Sequence, residues 1–402
     1  MKSVINLPLQ ILVGDDKFRR HGHPLPPFSA EAMEFLSALS QSLFKNSSLR
    51  NHPDVAAFAF WCRKANLERL RREHHSPHRR LGRGLVLHIT PSNVPVNFAF
   101  SLAFGLLAGN ANIVRVPNTE KPQINLICAE INKLLARPEH ARAVPMIRII
   151  TYPRNGELTA ILSELSDARM LWGGDQTISH LRSMQTSPRC VDICFSDRYS
   201  ICILEAKAII DADRSTISKL VSGFYDDVFL LDQNACSSPH LVLWQGDAYQ
   251  VESGKKRFWA EMNAFLAIKP QQATINAVDR FVHLCRTVMN FDQCEVSESW
   301  QSPISRVDLR SVMKEIDRYK GGNGFFFEAV DNDLSVLQSI VNEKYQTITY
   351  FGIKPERIID RVIGMGLKGV DRVVPVGTAL NIGMIWDGYD LIGMLTRIVS
   401  DR

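Results

Sequence analysis

Apolar and polar positions change period along this chain, and the changes sort it into elements. Gly84-Leu85-Val86-Leu87-His88-Ile89 is a short, nearly all-apolar run of the kind shown by a parallel strand covered on both faces. Thr90-Pro91-Ser92-Asn93 then reads as a turn, Val94 to Ala108 as a helix rich in Phe, Ala and Leu that stops at Gly109-Asn110, and Ala111 to Val116 as the next strand. From about Glu120 to Leu135, Ile124, Ile127, Cys128, Ile131, Leu134 and Leu135 recur at three- and four-residue steps, so this helix has one face for a sheet. A strand at Met146 to Thr151, a helix from about Asn155 to Leu165, a strand at Ala168 to Trp172 and a helix from Asp175 continue the alternation. Such a βαβ series with right-handed crossovers predicts an α/β fold with a parallel sheet. Further helices are expected at Ala30 to Leu43, Trp259 to Ile268 and Thr274 to Met289, with Pro-rich Gly22 to Phe28 as a loop.

Composition limits the function classes. With 402 residues, 45% of them apolar and 22% charged, the chain can bury a large core and form two or three lobes. Gly84 to Val114 contains no Asp, Glu, Lys or Arg, but Pro91, Ser92, Asn93, Pro95, Asn97, Gly109, Asn110 and Asn112 break it, so no membrane span is expected. A net charge of +5 is too small to demand nucleic acid or a membrane surface and is compatible with anionic cofactors. Arg63 to Arg83 carries eight basic residues against Glu68 and Glu73. Without interleaved aromatics it reads as a solvated helix face, with an acidic carrier domain or CoA phosphates as the alternative it would receive.

The eight cysteines are scattered without a disulfide framework and are expected to be reduced thiols in a cytoplasm; Met1 to Asp15 shows no export signal. Cys190, Cys194 and Cys202 lack paired zinc-site spacing, and His74-His75-Ser76-Pro77-His78 reads as a solvated turn, so no metal is expected.

Candidate chemistry gathers in three places. The carboxyl ends of parallel strands form a crevice in which loops and helix N-termini meet phosphates, and Thr90 to Pro95 and Gly173-Gly174-Asp175 both fall there. Neither has a GxGxxG fingerprint. The third place is Asp232-Gln233-Asn234-Ala235-Cys236-Ser237-Ser238-Pro239, a lone thiol among small and polar neighbours. Such a thiol attacks an acyl carbon without a metal, given partial ionisation and a donor for the oxyanion. An ordinary cysteine is only a few per cent thiolate at neutral pH, and no sequence-adjacent base settles its activation. His240 is four residues away, and His88 reads as a core histidine.

Taken in order, these motifs match a family. Ile89-Thr90-Pro91-Ser92-Asn93-Val94-Pro95 followed by Leu107-Ala108-Gly109-Asn110-Ala111-Asn112-Ile113-Val114-Arg115 resembles the aldehyde dehydrogenase segment that carries the oxyanion asparagine and the first cofactor-binding strand. Trp172-Gly173-Gly174-Asp175-Gln176-Thr177-Ile178 falls where that superfamily has its nicotinamide loop. Gln233 to Pro239, Gly369-Val370-Asp371-Arg372-Val373-Val374-Pro375-Val376-Gly377 and Ile385-Trp386-Asp387-Gly388-Tyr389 look like the fatty-acyl reductase branch of bacterial bioluminescence systems. The resemblance runs from about residue 80 to the end.

It implies an aldehyde-dehydrogenase-like fold, with a Rossmann-type cofactor domain at about 80–228 and an α/β catalytic domain at 229–375. Residues 1–79 are expected to be a mostly helical N-terminal region, and 376–402 to return to the cofactor lobe or make oligomer contacts. It also implies Cys236 as nucleophile and Asn93 as oxyanion donor beside the backbone N–H of Cys236. Thr90, Pro91, Ser92, Arg115, Gly173, Gly174 and Asp175 are implied cofactor contacts. Because Pro117-Asn118-Thr119 holds no acid to repel a 2′-phosphate, NADPH is the expected cofactor. Hydrolytic relatives carry a water-activating glutamate ahead of the cysteine. Here Ile193 to Tyr199 offers only Asp197, beside Arg198.

The implied reaction is reduction of a fatty-acyl thioester to an aldehyde through acyl-Cys236. The donor is acyl-CoA or an acylated partner protein, an acyl-protein synthetase or acyl carrier, and the enzyme is at least a dimer. A CoA-acylating aldehyde dehydrogenase running in the oxidative direction and a non-catalytic acyl-holding subunit are the alternatives.

Overall fold

The computed structural model describes residues 9–15, 23–153, 156–269, 273–291, 294–296 and 302–400. The chain builds two units, one of residues 1–196 with 384–402 and one of residues 197–383, and each has its own sheet.

In the first unit the helices α1 (Ala30–Lys45), α2 (Pro53–Trp61) and α3 (Lys64–Glu73) precede most of the sheet. Strands β1 (Gln10–Val13), β2 (Arg79–Gly82), β3 (Leu85–Ile89), β4 (Ala111–Val116), β5 (Ile147–Thr151), β6 (Ala168–Trp172) and β7 (Val191–Phe195) follow the chain. The order across the six-stranded sheet is β1-β5-β4-β3-β6-β7. β3 to β7 are parallel, and β1 is antiparallel to β5. From β3 the chain winds outward through β4 and β5, then crosses back to lay β6 and β7 on the other side. The β3–β6 border is therefore a topological switch point, where the crevice at the carboxyl ends lies open.

Helix α4 (Asn97–Leu107) buries all its residues, which accounts for the absence of charge around it. It starts three residues after the expected Val94, because Pro95 and Val96 form a turn closed by Asn97 N–H to the Val94 carbonyl at 3.1 Å. Its end requires Gly109: at φ +79° a Cβ would sit 2.0 Å from the Leu25 carbonyl. The remaining helices are α5 (Pro122–Leu135), α6 (Gly156–Leu165) and α7 (Asp175–Arg182). Asn155, expected to start α6, and Gly22 of the expected loop lie outside the described residues. The N-terminal helices pack on this unit: Ser42 of α1 and its C-cap Asn46 donate to the buried Glu130 carboxylate of α5 at 2.6 and 2.8 Å.

His88 shows what the interior of this unit demands. The fully buried ring pairs Nδ1 with Ser101 Oγ at 2.8 Å and Nε2 with Asn112 Oδ1 at 3.0 Å, while Trp172 Nε1 donates to Ser101 Oγ at 3.1 Å. The Asn112 amide in turn donates to the Asn110 and Met146 carbonyls, so β3, α4, β4 and β6 share one polar network. Burial pushes the imidazole down to about 4, against the bond to Asn112 that favours its charged form. A histidine depressed on folding supports stability above its unfolded value near 6.5, and that support is lost as pH falls toward 4. Acidification across this window is expected to cost about 3 kcal/mol through His88. Denaturant unfolding at pH 7 and pH 4.5 checks this, since His88→Asn should lose less between the two pH values than wild type; equal losses would acquit His88.

The second unit contains β8 (Tyr199–Glu205), β9 (Pro239–Gln245), β10 (Cys294–Val296), β11 (Ser305–Leu309), β12 (Phe325–Val330), β13 (Tyr345–Phe351) and β14 (Arg372–Pro375), in the order β10-β11-β12-β9-β8-β13-β14. All are parallel except β10. Alternation along the strands feeds two cores. Ile201, Ile203, Leu241, Leu243 and Phe327 join one, and Cys202, Leu204, Val242, Trp244 and Phe326 the other. The second core is covered by α8 (Ala206–Asp211), α9 (Arg214–Val228) and α10 (Ala248–Ala267), and α11 (Thr274–Asn290) completes the long helices.

Two sequence expectations change here. The sequence places the start of the second lobe at residue 229, whereas the second unit starts at residue 197, since β8 lies between β9 and β13. Helix α10 starts at Ala248 rather than Trp259, set by an Asp247–Gln250 capping box. Its early part carries Gly254 because a Cβ there would press on Ala206 at 3.0 Å.

After β14 the chain stays with the second unit to Gly383 and then returns to the first. There β15 (Ile385–Trp386) pairs with β16 (Tyr389–Asp390), and β17 (Thr396–Val399) pairs antiparallel with β2. Part of the basic run holds this return: Arg80 donates to Thr396 Oγ1 at 3.1 Å and Arg83 to the Met394 carbonyl. Arg69 and Arg71 pair with Glu73 and Glu68 on α3. Among the described residues no helix is long and apolar enough to cross a membrane.

Candidate active site

In the first unit, the register sets Ile89 of β3 opposite Arg115 of β4 and Leu171 of β6. The loops after these strands therefore open on one edge of the sheet. Thr90 ties the edge together, with its N–H and its hydroxyl donating to the Arg115 carbonyl at 3.2 and 2.9 Å. Its side chain is thus engaged by the protein. Pro91 is half-buried, and Ser92 and Asn93 are exposed at the head of the loop. Arg115 donates to the Tyr152 carbonyl at 3.2 Å and lies over the Tyr152 ring, 5.3 Å from its centre.

After β6, Gly173 N–H donates to the Phe195 carbonyl at 3.1 Å, and the Trp172 and Phe195 rings stack at 3.7 Å. Gly174 is the N-cap of α7 and supplies no side-chain cap, and a Cβ built on it would meet nothing within 4 Å. This leaves room for a ligand at a positive helix end. Asp175 in the first turn adds a carboxylate there, which favours a hydroxyl over a phosphate as its own neighbour.

In the second unit, Cys236 sits half-exposed on the loop between α9 and β9. Two residues before it bend the backbone into the left-handed region, Asp232 at φ 48° and Gln233 at φ 62°. Such conformations cost on the order of 1–3 kcal/mol each for non-glycine residues and persist only where surroundings enforce them. Gln233 is the enforcer. Its buried amide donates to the Pro239 and Phe325 carbonyls at 2.8 and 3.0 Å and accepts from Gly324 and Phe325 N–H at 3.0 and 3.2 Å, using all four of its bonds. Asn323 N–H adds a bond to the Asp232 carbonyl at 3.2 Å, and Ser238 Oγ donates to the Asp227 carbonyl at 2.7 Å.

Below the loop, the Asp227 carboxylate accepts from Gly377 and Ala379 N–H at 2.7 and 2.8 Å, fixing the segment after β14. Burial pushes this carboxyl up to about 7, against those two bonds.

Side chains from neighbouring strands lie against Cys236. Ser200 Oγ donates to the Cys236 carbonyl at 2.7 Å, and the Gln346 side-chain amide donates to Cys236 Sγ at 3.3 Å. His240 is buried and stacked on Tyr199 at 5.5 Å, and desolvation holds it well below its ordinary value, so it is neutral. Asp197 is bound to Lys320 at 2.7 Å. All eight cysteines are thiols, and Cys202 is buried in the second core.

The nine site residues named from sequence thus divide: eight lie along one edge of the first unit's sheet, and Cys236 lies in the second unit. Sequence reasoning missed Gln233, Ser200 and Gln346. A signal for the last was present in principle, as a glutamine inside an otherwise apolar and β-branched strand, Tyr345-Gln346-Thr347-Ile348, must find a partner when buried.

Both sheets with their covering helices define an aldehyde-dehydrogenase-like fold. A putative aldehyde dehydrogenase from Burkholderia cenocepacia superposes with a TM-score of 0.63 at 15% identity, covering 92% of this chain and 86% of that one. Lactaldehyde dehydrogenase superposes at 0.62 with 13% identity, again over 92% and 86%. Within that fold the chain belongs to the acyl-CoA reductase (LuxC) family, whose family model matches residues 24–398. Among curated relatives, long-chain acyl-protein thioester reductases of Photorhabdus laumondii and Vibrio harveyi are each 22% identical, over 79% of this chain. The chain spans 63% of the length of these two relatives.

Proposed function

We propose that this protein reduces a fatty-acyl thioester to an aldehyde through a covalent acyl-Cys236 intermediate, with NADPH as reductant. The observation that carries this reading is the half-exposed Cys236 thiol on a loop locked by Gln233, in a chain of the acyl-CoA reductase family. The name of the relatives supports an acylated protein as donor, and that of the family supports acyl-CoA; both are acyl thioesters.

The open edge at the switch point fits a dinucleotide: Arg115, the backbone of Thr90 to Ser92 and the uncapped α7 end at Gly173-Gly174 would hold it, with Asp175 suited to a ribose hydroxyl. NADPH is favoured over NADH because Arg115 brings a positive charge and the segment after it brings no acid. A nicotinamide held by these residues would supply the hydride, and hence the two electrons, that reduction of an acyl thioester requires.

The protein residues do the rest. The Cys236 thiolate forms a bond to the carbonyl carbon of the donor thioester, the donor's own C–S bond breaks, and its sulfur leaves as thiolate. After reduction the tetrahedral carbon carries an oxyanion and the Cys236 sulfur. Asn93 and the Cys236 N–H are assigned to that oxyanion, and removal of one such donor typically costs on the order of 100-fold to 1000-fold in rate. Breaking the Cys236 C–S bond then releases aldehyde and restores the thiolate. With Asp197 paired to Lys320, that residue is poorly placed to activate water, which favours reduction over hydrolysis.

Intact-mass spectrometry with a panel of acyl-CoAs, followed by NADPH with its absorbance recorded, tests the reading. An acyl adduct that forms and then disappears as NADPH is consumed is expected. An adduct that persists would replace this reading with an acyl-holding subunit. If no acyl-CoA gives an adduct, CoA is excluded as donor, and acylated carrier protein is the next reagent.

A further inference from the structure

We infer that Gln346 is a catalytic residue whose side-chain amide stabilises the Cys236 sulfur as thiolate, serving as a neutral substitute for an activating base. This rests on Cys236 being the acyl-accepting nucleophile, though the pairing itself does not.

The geometry comes from an irregularity in the sheet. From Tyr345 to Ile348, β13 advances three residues while its partner β8 advances two, from Tyr199 to Ile201. The extra residue makes a bulge at Gln346–Thr347, a feature that re-aims side chains and recurs beside active sites. A second irregularity lies between β8 and β9, where Ser200 to Ile201 faces Pro239 to Leu241. Ser200, between the two, accepts from Thr347 N–H at 3.2 Å and donates to the Cys236 carbonyl at 2.7 Å, joining the bulge to the nucleophile's backbone. The bulge sends Gln346 inward, where it is fully buried with Nε2 3.3 Å from Cys236 Sγ. The Thr347 hydroxyl donates to Gln346 Oε1 at 3.1 Å and thereby turns the amide nitrogen to the sulfur.

The ionisable side chains at the flanking positions of these strands are Tyr199 on β8, His240 on β9 and Tyr345 on β13. Each is buried. Desolvation holds His240 uncharged and both tyrosines protonated. With no charge from these three, the Gln346 amide favours S⁻ over SH through its own hydrogen bond. Such a donor acts twice in the proposed reaction, when the thiolate attacks the donor and when it departs from the reduced carbon.

Iodoacetamide alkylation, read residue by residue by mass spectrometry, measures the thiolate without acyl donor or cofactor, with the exposed Cys285 as internal reference. Hydrogen bonds to charged groups have strengths that correspond to about tenfold or more in an equilibrium, and the higher intrinsic nucleophilicity of a more basic thiolate offsets about half of this on a logarithmic scale, so at pH 7 Gln346→Leu is expected to slow alkylation of Cys236 relative to Cys285 by about threefold or more. Thr347→Val, which removes the orienting hydroxyl and keeps the shape, is expected to slow it by a smaller factor. An unchanged ratio in Gln346→Leu would overturn the inference. So would a raised ratio, which would mean that the amide presents its oxygen to the thiol and favours the protonated form. If Gln346→Leu fails to fold, seen as alkylation of buried Cys62 and Cys202, the Thr347→Val ratio decides, and no change there overturns the inference. Because wild-type alkylation is independent of turnover, absence of reductase activity would count against the proposed function and leave this result standing.

Discussion

Cys236→Ser is expected to give no acyl adduct and to lower NADPH-dependent aldehyde formation by at least about 1000-fold, with the fold retained. A serine hydroxyl is scarcely ionised at neutral pH, so the first bond to the acyl carbon does not form at a useful rate. An oxygen ester, if made, would also hold its acyl group more tightly at the collapse step. The fold is expected to survive because the Ser200 contact to residue 236 is made to its carbonyl, and the loop's other anchors come from Gln233, Asp232 and Ser238. The measurement is parallel mass spectrometry and NADPH consumption for both proteins, with thermal unfolding as control. A serine variant that turns over within tenfold of wild type would remove Cys236 from the mechanism.

The largest effect on stability is expected at Glu328. Its carboxylate lies fully buried in β12, where Oε1 accepts from the Trp244 and Trp259 indole N–H groups at 2.7 and 2.9 Å and Oε2 from Arg306 at 2.9 Å. Lys255 stands 3.8 Å from Oε2 and is also paired with Asp308. Burial raises this carboxyl above its ordinary range, and Lys255 and Arg306 oppose that. Glu328→Ala leaves two indole donors without their acceptor and two cations without this anion, a type of loss that costs about 3–5 kcal/mol. In a unit of this size that corresponds to a drop of about 10 °C in its unfolding midpoint. Glu328→Leu combined with Arg306→Met is expected to recover part of the loss, since replacing both members of a buried pair by apolar groups is far milder than removing one. Thermal unfolding of the three proteins checks both statements; a drop of under about 2 °C for Glu328→Ala would mean that water reaches the site and restores the bonds.

How much of this was legible in the sequence depended on whether a residue's neighbours are near it in the chain. The strands Ala111–Val116 and Ala168–Trp172 form as expected, because strands covered on both faces are apolar at most positions, and the buried polar exceptions Asn112 and Arg169 find hydrogen-bond partners. The position of the loops Thr90 to Asn93 and Gly173 to Asp175 at the carboxyl ends also followed from local signals, as each lies directly after its strand, whereas Arg115 was singled out by the resemblance alone. Membership of a sheet did not follow from such signals. Tyr199–Glu205 is as apolar as the strands before it, and nothing within it states that its partners are Pro239–Gln245 and Tyr345–Phe351. The start of α10 was lost for another reason, since residues 248–257 are polar enough to pass for a loop and the capping box at Asp247 is a short-range signal easily overlooked. Gln346 was hidden because its direction is set by one extra residue in β13, and register is a property of two strands together.

The long reach of the contacts around Cys236 bears on how the protein is made. Gln233 is held by Phe325, 92 residues later, and the sulfur by Gln346, 110 residues later. On the ribosome the nascent chain therefore carries Cys236 without these two anchors through the synthesis of the intervening stretch. The setting around the sulfur is completed only once β12 and β13 have been translated and have joined the sheet, so a chain stopped short of them holds the cysteine but not the contacts that hold it in place.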